Sequence, residues 1–209
     1  MTVKMTYVFD AYCGWCHGFG PTVTEFAAAN ADRIDLEVLS GGLFTGSRVA
    51  PMSAMPYIPE ANDRIAALTG AEFGPGYQKL VADGRFAMDS TAAAAGFAAL
   101  RAAAPERALA SAEAMQRAFY RDGLSLSDLA TYRRIADENG LDARRVLEFL
   151  NGPQAATTAR HDFSRAAQLG VTAFPTLLLH TPTGVVRLGG PAADATRLTA
   201  ALDRQISNN

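Results

Sequence analysis

Phe9-Asp10-Ala11-Tyr12-Cys13-Gly14-Trp15-Cys16-His17 is the stretch on which the fold turns. It holds both cysteines of the chain, separated by Gly14 and Trp15. The apolar run Tyr7-Val8-Phe9 leads into it, and a helix-compatible run from His17 to Ala29 leads out. A strand that feeds a Cys-x-x-Cys pair at a helix start is a redox arrangement. Cysteines three positions apart on a first helical turn can reach each other's sulfur. The first one sits where unpaired backbone N–H groups and the helix dipole favour an anion, which lowers a thiol's pKa and yields the attacking thiolate. Cys13 is therefore the expected nucleophile, forming a mixed disulfide with substrate. Cys16, one turn deeper, is the expected resolving thiol.

Three other uses of such a pair compete. A closed zinc site needs two more ligands, and the only histidines, His17, His161 and His180, provide no second pair at finger-like spacing. Cys13 to His17 matches the Cys-x-x-Cys-His attachment pattern of haem, but that chemistry goes with export. A buried structural pair is the third, and the helix-start position argues against it. No metal or cofactor is expected beyond the redox-active disulfide itself.

Composition sets the class. With 209 residues the chain can bury a good core, as one large domain or a domain with an insertion. Hydrophobic residues make up 49% and charged residues 19%, a folded rather than a disordered composition. The formal net charge of -2 leaves no electrostatic footprint for nucleic acid. No apolar run reaches the roughly 18 residues of a membrane span. Met1 to Asp10 enters strand-like sequence directly, without a signal-peptide pattern. Together with the single cysteine pair, this sets the expected location as the cytoplasm.

Working outward, Val3 to Phe9 reads as a buried strand and Asp10 to Tyr12 as a turn. A helix follows from about Cys13 to Ala29, with Pro21 expected to kink it. Ile34 to Leu39 alternates apolar and acidic residues as a half-exposed strand does, and Gly41-Gly42 end it. From Gly46 to Gly170 the chain is alanine-rich and helical by its punctuation. Ser90 is the expected cap of one helix, Pro105 starts the next, and Ser127 opens another with Leu129, Tyr132 and Ile135 on one side. Asp142 caps a helix carrying Val146, Leu147 and Leu150, and Pro153 starts the last of this block. Thr176 to His180 and Val185 to Leu188 read as a hairpin around Pro182-Thr183-Gly184. Ala193 to Ile206 is a final helix with Leu198, Leu202 and Ile206 on one side.

Ala173-Phe174-Pro175-Thr176 supplies the second half of the site. A proline at the head of a buried strand needs a reason. With Phe174-Pro175 in the cis form, the backbone before it would turn its polar groups outward beside the cysteines. An extended substrate could then pair with it by strand addition. This stretch resembles thioredoxin-fold proteins, in which an apolar-Pro-Thr segment starts the strand opposite Cys-x-x-Cys. Pro21 resembles that family's proline in the active-site helix, and Gly189 the glycine beside its substrate groove. The large helical block resembles the DsbA-like branch. Asp10 to Phe19, with Gly41-Gly42-Leu43-Phe44 downstream, resembles the cytoplasmic predicted disulfide isomerases of that branch.

The resemblance implies an α/β thioredoxin-like fold, a central mixed sheet with a large all-α insertion. Residues 1–45 and 170–209 would form the thioredoxin-like part and residues 46–169 the inserted helical domain. It implies a thiol–disulfide oxidoreductase or isomerase acting on protein or small-molecule thiols and disulfides, with glutathione as a possible electron partner. Cys13 and Cys16 would be catalytic. Trp15, Ala173, Phe174 and Pro175 would bind substrate. Asp10 is read either as a tuner of the thiols or as a turn former, and His17 either as a tuner or as a solvent-facing helix residue. Phe19, Phe44, Phe86 and Met88 are further candidates for an apolar rim. The chain departs from thioredoxins at Tyr7, where they carry a buried acid. Its Gly14-Trp15 also differs from the Pro-His of the periplasmic oxidant, so a milder redox couple is expected. Two other functions stay open. One is a glutathione-dependent enzyme of the kappa-transferase or 2-hydroxychromene-2-carboxylate isomerase type, which needs no resolving thiol. The other is a chaperone-like binding module.

Overall fold

In the computed structural model, which describes residues 2–207, the strand β1 spans Val3–Phe9 and the helix α1 spans Gly14–Ala29. Strand β2 covers Ile34–Ser40 and runs parallel to β1, so β1, α1 and β2 form a βαβ unit. Strands β3 (Thr176–Thr181) and β4 (Gly184–Gly189) form the expected hairpin, antiparallel to each other, and β3 pairs antiparallel with β1. The sheet order is β2-β1-β3-β4, a mixed sheet with β1 and β3 inside. Between β2 and β3 stand α2 (Ile58–Thr69), α3 (Pro75–Asp83), α4 (Ser90–Ala103), α5 (Ala108–Tyr120), α6 (Leu129–Glu138), α7 (Ala143–Asn151) and α8 (Pro153–Gln168). The last helix, α9, spans Ala195–Ser207. The architecture is the expected α/β fold with a helical insertion. Residues 1, 208 and 209, the outermost of the expected thioredoxin-like part, lie outside the described residues.

Alternation along β1 divides the interior, because successive side chains of a strand face opposite sides. Met5, Tyr7 and Phe9 join the main core with Phe19, Val23 and Phe26 of α1 and Leu198 and Leu202 of α9. Val8 faces the other way and packs with Leu39 and Ala166 of α8. Both faces are thus covered where β1 approaches the cysteines, and its last five residues are buried. Helix α1 continues through Pro21.

Several local expectations change. Asp89, not Ser90, caps α4, its carboxylate accepting from the N–H groups of Thr91 and Ala92. Ser90 is drawn inward instead, as described below. Asp128 occupies the cap position of α6 rather than Ser127, and Leu129 is 45% exposed while Tyr132 and Ile135 are buried. The final helix begins at Ala195, and Ile206 lies at its exposed end. Asp142 does cap α7, accepting from Arg145 N–H at 3.1 Å.

The insert is clamped to the edge strand around one ion pair whose acid is buried. Arg101 of α4 donates to the Val38 carbonyl at 2.6 Å and pairs with Asp162 of α8 at 2.9 Å. Asp162 in turn accepts from Ser40 N–H at 3.0 Å. An edge strand carries unpaired N–H and C=O groups. Here α4 and α8 satisfy two of them and fix the insert against β2.

Candidate active site

The turn from β1 into α1 is built around Asp10. Its carboxylate accepts from Tyr12 N–H at 3.0 Å, two residues on, as an Asx turn requires. Cys13 N–H donates to the Asp10 carbonyl at 3.0 Å. Cys13 then occupies the N-cap of α1 in an extended conformation, and its sulfur accepts from Cys16 N–H at 3.4 Å. Oxygen side chains usually fill this position. A sulfur held there faces the free N–H groups and the positive end of the helix dipole.

The second stretch meets the first at this sulfur. The Cys13 thiol donates to the Phe174 carbonyl at 3.5 Å, joining residues 161 positions apart. The Phe174–Pro175 bond is cis. The Ala173 carbonyl accepts from the Thr176 hydroxyl at 2.8 Å, and the Pro175 carbonyl accepts from Arg187 at 3.2 Å. Among the described residues, no protein acceptor takes the N–H of Ala173 or Phe174. Ala173 is exposed and Pro175 buried. The Phe174 ring does not line the space over Cys13. It packs against Gly41, where any β-carbon would collide with it, and touches the Val8–Leu39–Ala166 cluster. Phe174 therefore contributes its backbone to the sulfur and its ring to the core.

Both thiols are free. Cys13 is 5% exposed and Cys16 is fully buried. Burial pushes the Cys16 thiol well above its ordinary pKa, and the neighbouring Cys13 sulfur adds to the rise. The Asp10 N–H, 3.4 Å from the Cys16 sulfur, opposes it.

Asp10 is also fully buried. Burial raises its pKa from 3.8 to about 6, against hydrogen bonds from Leu43 N–H, Tyr12 N–H and the Ser90 hydroxyl. Ser90 ties the insert to this carboxylate. Its hydroxyl donates to Asp10 at 3.0 Å and accepts from Phe44 N–H at 2.9 Å. Tyr7 lies behind the sulfurs. Its hydroxyl is buried without a partner among the described residues, and burial, then the two cysteines, push its pKa up.

Over Cys13 is a mostly apolar pocket of about 150 Å³, bounded by Trp15, Leu43 and Phe44 and by Tyr57, Ile65 and Met88 from the insert. Trp15 is half-buried, and the Arg64 guanidinium sits 6.0 Å from its ring centroid. Phe19 is core, not rim, and Phe86 packs on Tyr12 and Phe119 without lining the pocket. His17 is not a solvent-facing residue. It stacks on Tyr120 at 4.7 Å, its Nε2 pairs with the Glu72 carbonyl at 3.0 Å, and burial lowers its pKa. Its ring makes no hydrogen bond to either sulfur among the described residues.

Sequence reasoning missed Ser90 as a partner of Asp10, and it missed Tyr57, Asn62, Ile65 and Tyr120 around the pocket. One signal for α2 was available. Gly14 and Gly18 are one helical turn apart on α1, a spacing that lets a second helix come close.

The structure thus brings a dithiol at a helix N-terminus against a Phe-Pro segment that opens an antiparallel strand, within a thioredoxin-like fold. The chain belongs to the DSBA-like thioredoxin domain family, which it matches over residues 4–195. Among solved structures it is similar to "a putative protein disulfide isomerase from Nitrosomonas europaea", at 21% identity and a TM-score of 0.85 over 100% of both chains. It is similar to the cytosolic disulfide reductase DsbM from Pseudomonas aeruginosa, at 24% identity and 0.83, covering 99% of this chain and 100% of that one; DsbM has also been solved with GSH. A 2-hydroxychromene-2-carboxylate isomerase aligns at 14% identity and 0.67, over 99% of this chain and 97% of that one. At these identities the likeness is one of fold. No curated protein matches the chain. Among the described residues no helix is long and apolar enough to cross a membrane.

Proposed function

We propose that the chain is a cytoplasmic thiol–disulfide oxidoreductase, working through Cys13-Gly14-Trp15-Cys16 on thiols and disulfides, with glutathione as an electron partner. The observation that carries this reading is the setting of the Cys13 sulfur, between Cys16 N–H at 3.4 Å and the Phe174 carbonyl at 3.5 Å. Both contacts hold the sulfur at the N-terminal end of α1, with the second thiol one turn further along the helix.

In the reducing direction, the Cys13 thiolate attacks a substrate disulfide, forms a mixed disulfide and expels one substrate thiolate. Cys16 then attacks the Cys13 sulfur and releases the second substrate thiolate. Burial keeps Cys16 protonated, so this step needs a proton acceptor. Asp10 is suited to that role, because the contact of its N–H with the Cys16 sulfur brings its buried carboxyl into the neighbourhood of the thiol, and that carboxyl is raised to about 6. The free N–H groups of Ala173 and Phe174 hold the substrate backbone beside Cys13.

Replacing Cys16 with Ser tests the reading. The variant should accumulate a Cys13 mixed disulfide, visible by mass spectrometry, and lose turnover. A glutathione-dependent transferase or isomerase is the second reading, favoured by the fold likeness to 2-hydroxychromene-2-carboxylate isomerase. Glutathione-dependent activity unchanged in Cys16→Ser would select it. Redox titration of Cys13 and Cys16 against glutathione gives the direction of flux. A potential as oxidising as that of DsbA, about -120 mV, would refute the milder couple expected from Gly14-Trp15.

A further inference from the structure

We propose that α2 restricts this site to low-molecular-weight disulfides and shuts out those carried on polypeptides. The proposal rests on the oxidoreductase reading above and adds the substrate class.

Helix α2 lies directly on the first turns of α1, because α1 presents glycine there. A β-carbon on Gly14 would stand 2.9 Å from Ile65 Cδ1, and one on Gly18 would stand 2.6 Å from Thr69 Oγ1. With no side chains from α1 to hold it off, α2 sits low beside the nucleophile. Its ends are tied down. Ile58 N–H donates to the Met55 carbonyl at 3.1 Å, and past the far end the Glu72 carbonyl is held by His17 at 3.0 Å. The α2 wall is thus part of the packed structure around Cys13.

The consequence is a size limit. Cys13 is 5% exposed, and the space over it measures about 150 Å³. The space is open on one side, so it limits the group that lies directly against the sulfur: an apolar cavity of that volume holds a group about the size of benzene, and it is roughly half the smallest volume common among ligand sites. Glutathione's cysteine also lies between two amides, but each of its arms ends after one residue; a polypeptide continues as main chain on both sides, and its further peptide groups need partners when buried. The walls here are chiefly apolar, and Asn62 is the one side-chain amide among them. On the opposite side, the free N–H groups of Ala173 and Phe174 suit a short polar arm and do not require a long chain.

The chemistry balances with a symmetric small disulfide. Cys13 thiolate and R–S–S–R give Cys13–S–S–R and one thiolate. Cys16 thiolate then displaces the second thiolate and closes the Cys13–Cys16 disulfide. Two electrons pass from the dithiol to the substrate, and the two cysteine protons end on the two released thiols.

Single-turnover oxidation of the reduced protein tests this without any added reductant, using the fluorescence of Trp15, the only tryptophan. Hydroxyethyl disulfide should oxidise the dithiol about tenfold faster, per unit concentration, than insulin does, a difference of about 1.4 kcal/mol in barrier. Tyr57 is 58% exposed at the mouth of the pocket, so Tyr57→Ala should fold and widen the entrance. In that variant the insulin-to-small-disulfide rate ratio should rise several-fold. Insulin reacting as fast as hydroxyethyl disulfide in the unaltered protein would overturn the proposal, and so would an unchanged ratio in Tyr57→Ala. Failure of both disulfides to oxidise the cysteines would instead refute the oxidoreductase reading.

Discussion

Asp10 ionises inside the protein, away from water, and this gives the site its own pH dependence. The rise from 3.8 to about 6 means that the folded state prefers the protonated carboxyl. Stability from this preference is complete below pH 3.8 and is lost as pH rises through 6; the whole change is worth roughly 3 kcal/mol. Asp10→Asn should remove this component, so urea melts of variant and parent should diverge between pH 4 and 7. Parallel stability curves would contradict it. Tyr7 is a second residue under strain of solvation, with a buried hydroxyl that lacks a partner among the described residues. An unpaired buried hydroxyl is unfavourable, so Tyr7→Phe should be neutral or stabilising by about 1 kcal/mol. A clear loss of stability in denaturant melts would show that the hydroxyl is hydrogen-bonded in solution.

Close approach at glycines decides how the elements pack. Gly96 on α4 lies under the Tyr132 ring of α6, where a β-carbon would overlap it, and the Tyr132 hydroxyl is fixed by a 2.8 Å bond to the Leu126 carbonyl. Gly96→Ala should therefore destabilise by about 1–3 kcal/mol through overpacking, despite the better helix propensity of alanine. Thermal melts check the sign. The element boundaries show why local reading went astray at two helix starts. Ser90 has the chemistry of a cap, yet its hydroxyl serves Asp10 and Phe44, and the preceding Asp89 caps the helix. Either residue could cap by local rules, and only the three-dimensional neighbourhood of Ser90 separates them. Leu129 fits the apolar side of α6 by spacing, but it falls on the first turn, where α6 is exposed.

Across the whole molecule, the Arg101–Asp162 pair joins insert and sheet. Asp162 is 1% exposed at its side chain and Arg101 is 21% exposed. Arg101→Ala leaves a buried carboxylate unpaired and should cost about 3–5 kcal/mol, more than the double replacement of both residues. A double-mutant cycle in urea measures this, and equal losses in single and double variants would refute it. Neither residue announced the clamp, since Arg101 and Asp162 are far apart in the chain and each resembles an ordinary helix-surface charge. The sequence by itself determined the strand-turn-helix around Cys13, the helical block, the hairpin and the fold class. Those depend on short-range rules: alternation, capping residues, glycine and proline punctuation, and cysteine spacing. Only the tertiary structure decided that Phe174 gives its carbonyl to Cys13 and its ring to Gly41, that Ser90 holds Asp10, and that α2 walls the space over Cys13. These are contacts between distant segments, and their partners are chosen by packing and by the need to satisfy buried polar groups. The opening stretch thus carried its chemistry in its own residues, while its access and its proton balance came from elements folded against it.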